Sequence, residues 1–505
     1  MRTLTDTEVT ERRRAKAGVA EELKMEEVEW RQRSKALWLR AGDNNTRFFH
    51  TVASQRKRAN HINAINIGGR LLTGQAEIAP NLVDHFTRAY RRPRRWFPKW
   101  KDEELPQLTT EQWTNLVSEF NEEEIRRAVF SSEGDKAPGM DGFTFRFYQH
   151  FWPLVKMDVI GVLNELHSGG PGVGRLNASL FTLISKREGA TSIDDYRPIC
   201  LVNVCYMIIA KVLANRMKDI SADLIEDSQA AFIPGRNLQD GFVVAQEIIA
   251  ALHKEKRSGI ALKLDFAKAY DSVNREFLYE VMEQHGFDPH WIRMIRRCTD
   301  SAHGSVLLNG EPHGFFSIDR GLRQGDPLSP ILFIFVVNVL SRMCKKAMQR
   351  GWFSGLAGSS EGHRVALVQY ADDTMMLFED SIESARAAHF IAFCFELVSG
   401  LRLNWSKCAL LTVNVPDVRI SEMTRIVGCA AQDFLTRILG LPLCRGRLRK
   451  AEWEPLVERF QRRLAGWKGK LLSYGGRLTM LQAVLSSLPL FYLSVFRIPR
   501  GCSSA

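Results

Sequence analysis

Three aspartates carry the clearest capacity for chemistry in this sequence. Asp372 and Asp373 stand side by side in Tyr370-Ala371-Asp372-Asp373, between the apolar runs 365–370 (VALVQY) and 374–378 (TMMLF). Two ionised carboxylates in one tight turn repel each other, and a cation at the tip removes the conflict. Asp265 ends the apolar run 260–266 (IALKLDF), where a buried strand ordinarily carries another aliphatic side chain. With that strand beside the 365–378 hairpin, the three acids converge. Three such carboxylates can hold two divalent cations about 3.5–4 Å apart, activating an attacking hydroxyl and neutralising a leaving phosphate in an in-line displacement. An all-oxygen site that borrows ligands from a substrate phosphate suits Mg²⁺, with Mn²⁺ as its substitute.

Elements of both kinds are needed to aim these residues. Helical and strand patterns alternate from about residue 120 onward, which predicts an α+β fold. Asn309-Gly310, between 305–308 and 315–318, signals a hairpin, and 68–74 (GGRLLTG) reads as a turn between strands. Residues 11–40 read as a long charged helix with a thin apolar stripe of Val19, Leu23, Val28, Trp30, Leu37 and Trp38. The 505 residues predict about three packed units.

Charge and composition narrow the function classes. The chain is 45% hydrophobic and 25% charged, which excludes a disordered or fibrous protein. Its net charge is +12, and the excess is concentrated. Residues 88–101 hold seven basic side chains and no acid, interleaved with Tyr90, Trp96, Phe97 and Trp100; residues 445–477 hold ten basic side chains against three acids. Two such runs predict a polyanionic partner. Nine scattered cysteines form no CxxC pair and no zinc spacing, so free thiols without a disulfide partner are expected, in an intracellular protein of nucleus or cytoplasm. The N-terminus carries no apolar signal region, so the chain is not expected to be secreted. Residues 478–496 run 19 positions without a charge, but their Ser, Thr and Gln content and Pro489 predict a buried, interrupted helix without stable membrane association.

An ordered series of motifs resembles the reverse transcriptase of plant-type non-LTR (LINE) retrotransposons. The series runs KAPGMDGF (136–143), YRPICL (196–201), QAAFIPGR (229–236), LDFAKAYDSVN (264–274), GLRQGDPLSPILF (321–333), YADDT (370–374), SGLRLNWSKC (399–408) and ILGLPL (438–443). WLRAGDNNTRFFH (38–50) resembles the family's segment just upstream of the polymerase. The resemblance covers about residues 30–500 and implies a right-hand polymerase with an antiparallel palm sheet. On that basis 1–101 is expected to be a basic, helical N-terminal extension, 102–258 fingers, 259–445 palm and 446–505 an incomplete thumb. The family's endonuclease and C-terminal regions are not represented, so a fragment is expected.

The resemblance also implies roles. Asp265, Asp372 and Asp373 become metal ligands, joined by the backbone carbonyl of Phe266. Lys186 and Arg197 are expected on the triphosphate, Tyr270 under the incoming sugar, and Gln324-Gly325 against nucleotide or template. Lys407 stands where the family has a basic residue able to protonate departing pyrophosphate. Arg459, Arg462 and Arg463 are expected on nucleic-acid phosphates. Arg437-Ile438-Leu439-Gly440 stands where the family often has an aromatic before Leu-Gly, which puts the primer grip in question. The implied partners are an RNA template, a DNA primer and dNTPs. Two rival readings share the fold: a catalytically silent remnant that binds RNA, and a host-adopted interaction protein.

Overall fold

The computed structural model describes residues 5–34, 46–92, 97–358, 362–432, 434, 437–446, 448–464 and 471–498. Two compact units form, not the three that length predicts: Ile62–Gly446, and Met1–His61 combined with Arg447–Ala505.

The smaller unit is helical. Its N-terminal part is α1 (Asp6–Ser34) and α2 (Thr46–Asn60), and its C-terminal part includes helices Glu454–Leu464 and Tyr474–Met480. Phe48 and Phe49 of α2 bury against Leu472, Met480 and Leu485, with Trp30, Val52 and Phe460 alongside. The two ends of the chain thus share one apolar cluster. Val19, Leu23 and Val28 of the expected α1 stripe are exposed, while Leu37 and Trp38 lie outside the described residues. The stretch 478–496 is interrupted as expected: a π-turn spans Leu481–Leu485, and Pro489 precedes the single turn Leu490–Leu493. Its burial is one-sided, with Met480, Leu485 and Tyr492 inside and Leu478, Leu481 and Leu490 exposed. No helix among the described residues is long and apolar enough to cross a membrane.

The larger unit begins with hairpin β1 (Ala64–Ile67) and β2 (Arg70–Thr73), turned by Gly68-Gly69, and α3 (Gln75–Tyr90). Strands β3 (Ala178–Ser185) and β4 (Tyr196–Val202) pair antiparallel. Then come β5 (Gly259–Leu264), β6 (Phe266–Ala267), β7 (His303–Leu308) and β8 (Glu311–Ser317). The β7–β8 hairpin returns to β3, giving a sheet of order β4-β3-β7-β8. Asn309 and Gly310 both take positive φ, as a two-residue hairpin turn requires. The remaining strands are β9 (Leu367–Tyr370), β10 (Asp373–Phe378), β11 (Arg402–Leu403), β12 (Ala409–Val413) and β13 (Ala430–Gln432). A second sheet has the order β13-β12-β5-β10-β9, antiparallel except where β12 meets β13. The apolar run of β5 sits between β12 and β10 and is almost wholly buried, which is why its residues are aliphatic.

The fold is therefore α+β. Residues 62–92 belong to the larger unit, because Phe86 and Tyr90 of α3 pack on Phe181 and Phe316 of the first sheet. Residues 303–317, inside the span expected to be palm, complete the sheet begun by β3 and β4. A single cut at residue 258 does not separate the two sheets.

Candidate active site

Strand register brings the three acids together. Thr374 pairs with Leu264, so one step further sets Asp373 across from Asp265. Asp373 pairs with Tyr370, which leaves Ala371 and Asp372 as the two-residue turn. Ala371 holds a left-handed φ of 53°. Its N–H donates to Oε1 of the fully buried Gln229 at 3.0 Å. Main-chain bonds from Ala230 N–H to the Gln369 carbonyl and from Gln369 N–H to the Ser228 carbonyl brace the same turn. Gln229 thus shapes the acidic turn, a role its motif did not disclose. The signal was available only as a polar residue inside an apolar box.

Asp372 keeps an open face to solvent and Asp373 is half-buried. The protein around the turn still desolvates both, which pushes their carboxyls above the usual range. Repulsion from Asp373 and then Asp265 raises Asp372 further, while Arg197 opposes the rise. Lys263 and the Leu439 N–H pull Asp373 down, and Asp265 pushes it up. Main-chain donation from Leu439 does not depend on the aromatic missing at Arg437-Ile438-Leu439-Gly440. Among the described residues no three His, Cys, Asp or Glu side chains close into a metal-ready cluster. The donor set of three mutually repelling carboxylates nevertheless suits a hard divalent cation.

The backbone after Asp265 is fixed from the other side. Asn404 N–H donates to the Asp265 carbonyl at 2.7 Å, and Leu403 lies opposite Phe266. That bond makes Phe266–Leu403 a non-hydrogen-bonded pair, so the Phe266 carbonyl points away from β11. Lys407 is exposed on the adjoining turn, where its N–H donates to the Asn404 carbonyl at 2.8 Å.

Cations gather at the β3–β4 end. Lys186 and Arg197 are both exposed. Desolvation lowers the Lys186 ammonium first, and the charges of Arg197, Lys407 and Lys268 lower it further. The charges of Arg197 and Lys407 thus both act on Lys186, and so does that of Lys268, which sequence reasoning passed over inside LDFAKAYDSVN. Lys268 has a left-handed φ of 50° and pairs with Asp194 at 3.4 Å. Lys186 Nζ donates to the Asp194 carbonyl at 2.7 Å.

Tyr270 stacks on Phe333 with ring centroids 4.5 Å apart. Burial pushes its hydroxyl up, and the nearby charges of Asp372 and Tyr370 add to the rise. Gln324 accepts the Cys200 N–H on its main-chain carbonyl at 2.8 Å. Gly325 has φ +107°, and a Cβ there would lie 2.7 Å from the Cys200 carbonyl, so only glycine fits. Arg459, Arg462 and Arg463 lie in the other unit on helix Glu454–Leu464. Within that unit Arg56 of α2 is lowered by desolvation and by the charge of Arg463. The Pro93–Trp96 part of the basic run 88–101 is outside the described residues.

The sequence matches a known family. Residues 184–443 match the family described as reverse transcriptase (RNA-dependent DNA polymerase). The match covers just over half of the chain, and the chain belongs to this family. An uncharacterized 149 kDa protein of transposon TX1 from Xenopus laevis is 27% identical over 399 residues, 76% of this chain and 29% of that protein. The Pol polyprotein of the type-2 retrotransposable element R2DM of Drosophila melanogaster is 25% identical over 340 residues, 67% of this chain and 30% of that protein. The chain thus spans less than a third of either relative, and these relatives agree with the non-LTR retrotransposon resemblance. Among solved structures, apo telomerase from Candida tropicalis aligns with a TM-score of 0.36 at 13% identity, covering 56% of this chain and 59% of that one.

Proposed function

We propose that this chain is the polymerase segment of a retrotransposon protein and extends a DNA primer on an RNA template. The observation that carries this reading is the register that sets Asp265 across from Asp373, with Asp372 at the adjoining turn. Asp265, Asp372 and Asp373, with the Phe266 carbonyl, would hold two Mg²⁺ ions, and Mn²⁺ would substitute. Such ions would supply a lowered pKa for the primer hydroxyl and a counter-charge for the leaving pyrophosphate.

The chain's own residues do the rest. Lys186, Arg197 and Lys268 grip the triphosphate oxygens, which need fixed cations. Lys407 donates a proton to the departing pyrophosphate. The Tyr270 ring, backed by Phe333, occupies the space a 2′-hydroxyl would need. Gln324 and Gly325 let main chain and amide approach the nucleotide closely. Arg459, Arg462 and Arg463 contribute phosphate contacts that hold primer–template. Primer extension on poly(rA)/oligo(dT) with Mg²⁺ tests the reading. Incorporation of dTMP by the wild-type chain, absent from D265A/D372A, is the expected result. RNA binding without incorporation by the wild type overturns the polymerase reading in favour of an RNA-binding remnant.

A further inference from the structure

We propose that Asp271 is a positioning residue that holds the Gln324 amide and the Tyr270 turn in one arrangement, so that a single carboxyl sets both nucleotide affinity and sugar choice. The proposal rests on the polymerase reading above and adds a residue that the reading does not use.

Asp271 directly follows Tyr270 and is 8% exposed. Its Oδ1 accepts the Tyr90 hydroxyl at 2.8 Å and faces Gln324 Nε2 at 3.4 Å. The latter is the one hydrogen bond of the Gln324 side chain among the described residues. Without it the amide is free to turn, since only the Gln324 carbonyl is tied to Cys200.

The two segments joined by this carboxyl are also laced through main chain. Leu322 N–H donates to the Tyr270 carbonyl at 2.7 Å, and Gly321 N–H to the Val273 carbonyl at 3.0 Å. Gly321 has φ +75°, and a Cβ there would lie 2.4 Å from the Asp271 carbonyl oxygen. The segments can approach this closely only because position 321 is glycine.

Packing alone does not account for an acid here. Among the described residues no Lys, Arg or His forms an ion pair with Asp271, and Lys268 and Arg320 act on it only at longer range. An aliphatic side chain would avoid the desolvation of a buried carboxyl. What an aliphatic side chain cannot do is accept two hydrogen bonds from groups on two other segments. Tyr90 is itself fixed, edge-on to Phe181 at 5.4 Å and stacked on Phe316 at 6.3 Å. The chain of contacts therefore runs from the β4-β3-β7-β8 sheet through Tyr90 to Asp271, and from there to Gln324 and Tyr270.

The test compares wild type, D271A, D271N and Y90F in steady-state single-nucleotide incorporation, with dNTP and rNTP in parallel. Loss of one such hydrogen bond corresponds to about a three- to tenfold change in binding. D271A and Y90F should raise the dNTP KM by that factor, leave kcat within about twofold, and raise the rNTP-to-dNTP ratio. D271N keeps an acceptor oxygen and should stay close to wild type. Y90F removes only a hydroxyl, so it carries the test even where D271A does not fold. Wild-type KM and sugar ratio in Y90F overturn the positioning role while leaving the polymerase reading intact. A wild-type chain that incorporates nothing overturns both.

Discussion

The two units place their charged side chains by different means. In 62–446, hydrogen-bonded register does the work: Thr374 opposite Leu264 forces Asp373 toward Asp265, and a turn braced by Gln229 presents Asp372. In the unit built from both chain ends, apolar packing does it. Phe48, Phe49 and Val52 of α2 join Phe460 of helix Glu454–Leu464 in one cluster, and Arg56 and Arg463 come together about a turn further along. Register fixes a functional atom closely, whereas helix packing fixes a patch. A reaction that aligns a hydroxyl with a phosphate needs the first kind of placement. Holding a nucleic-acid backbone needs only the second.

Substitutions should therefore separate the two units. The largest effect is expected in the first. D265A or D372A should lower single-nucleotide incorporation by about a thousandfold or more, since each removes a group poised for charge in the transition state. Primer–template affinity, read by filter binding, should remain close to wild type. A comparable loss of affinity would show that the acids act in binding.

Next in size is sugar choice. Y270A or Y270V should raise rNTP use relative to dNTP by about 10- to 100-fold, because ring bulk excludes the 2′-hydroxyl. Y270F should change little. An unchanged ratio in the small variants would reduce Tyr270 to a packing partner of Phe333.

R459A/R462A/R463A should act on the other unit alone. Affinity should weaken on every sequence, and the salt slope should flatten by about 0.7–0.9 for each phosphate that is no longer neutralised. Turnover of one nucleotide at saturating primer–template should stay near wild type. Adding R56A should weaken affinity further, because α2 carries Arg47, Arg56, Lys57 and Arg58 and no acid. A triple variant that loses turnover under saturation would erase the distinction between the units.

The smallest effect concerns pH and stability. Burial raises the Asp271 carboxyl from 3.8 to about 6, against the pull of Tyr90, Lys268 and Gln324. A raised acid binds more protons folded than unfolded, so its contribution to stability is full below the unfolded value and declines as pH climbs to the folded one. The Tm of the wild type should therefore fall relative to D271N between pH about 4 and about 6. Parallel Tm curves for the two proteins over that window would exclude the raised carboxyl.

Much of the candidate site was legible in the sequence because its signals are local. An acid ending an aliphatic strand and a pair of acids between two apolar runs each violate a packing rule, and strand pairing makes them meet. The cation cluster was half legible. Arg197 and Lys407 stood in motifs and Lys186 just upstream of one, but Lys268, inside a motif too, takes an unusual backbone angle that residue type does not reveal. Leu439 reaches Asp373 through its N–H, and a main-chain role leaves no trace in side-chain identity. The smaller unit was the least legible. Phe48 and Met480 are more than 400 positions apart, and an amphipathic helix does not state which partner its apolar face will meet. For the same reason the return of β7–β8 to β3 escaped a linear division into fingers and palm.

The convergence of Asp265, Asp372 and Asp373 on nucleotidyl transfer is tested most directly by one normalised measurement. Wild type and D265A/D372A are each saturated with poly(rA)/oligo(dT), the bound fraction is measured, and incorporation of a single dTMP in Mg²⁺ is followed per bound complex. Wild type should add the nucleotide, and the double variant, bound to the same extent, should add none above background. Equal rates per bound complex in the two proteins would contradict the assignment of these acids to the chemical step.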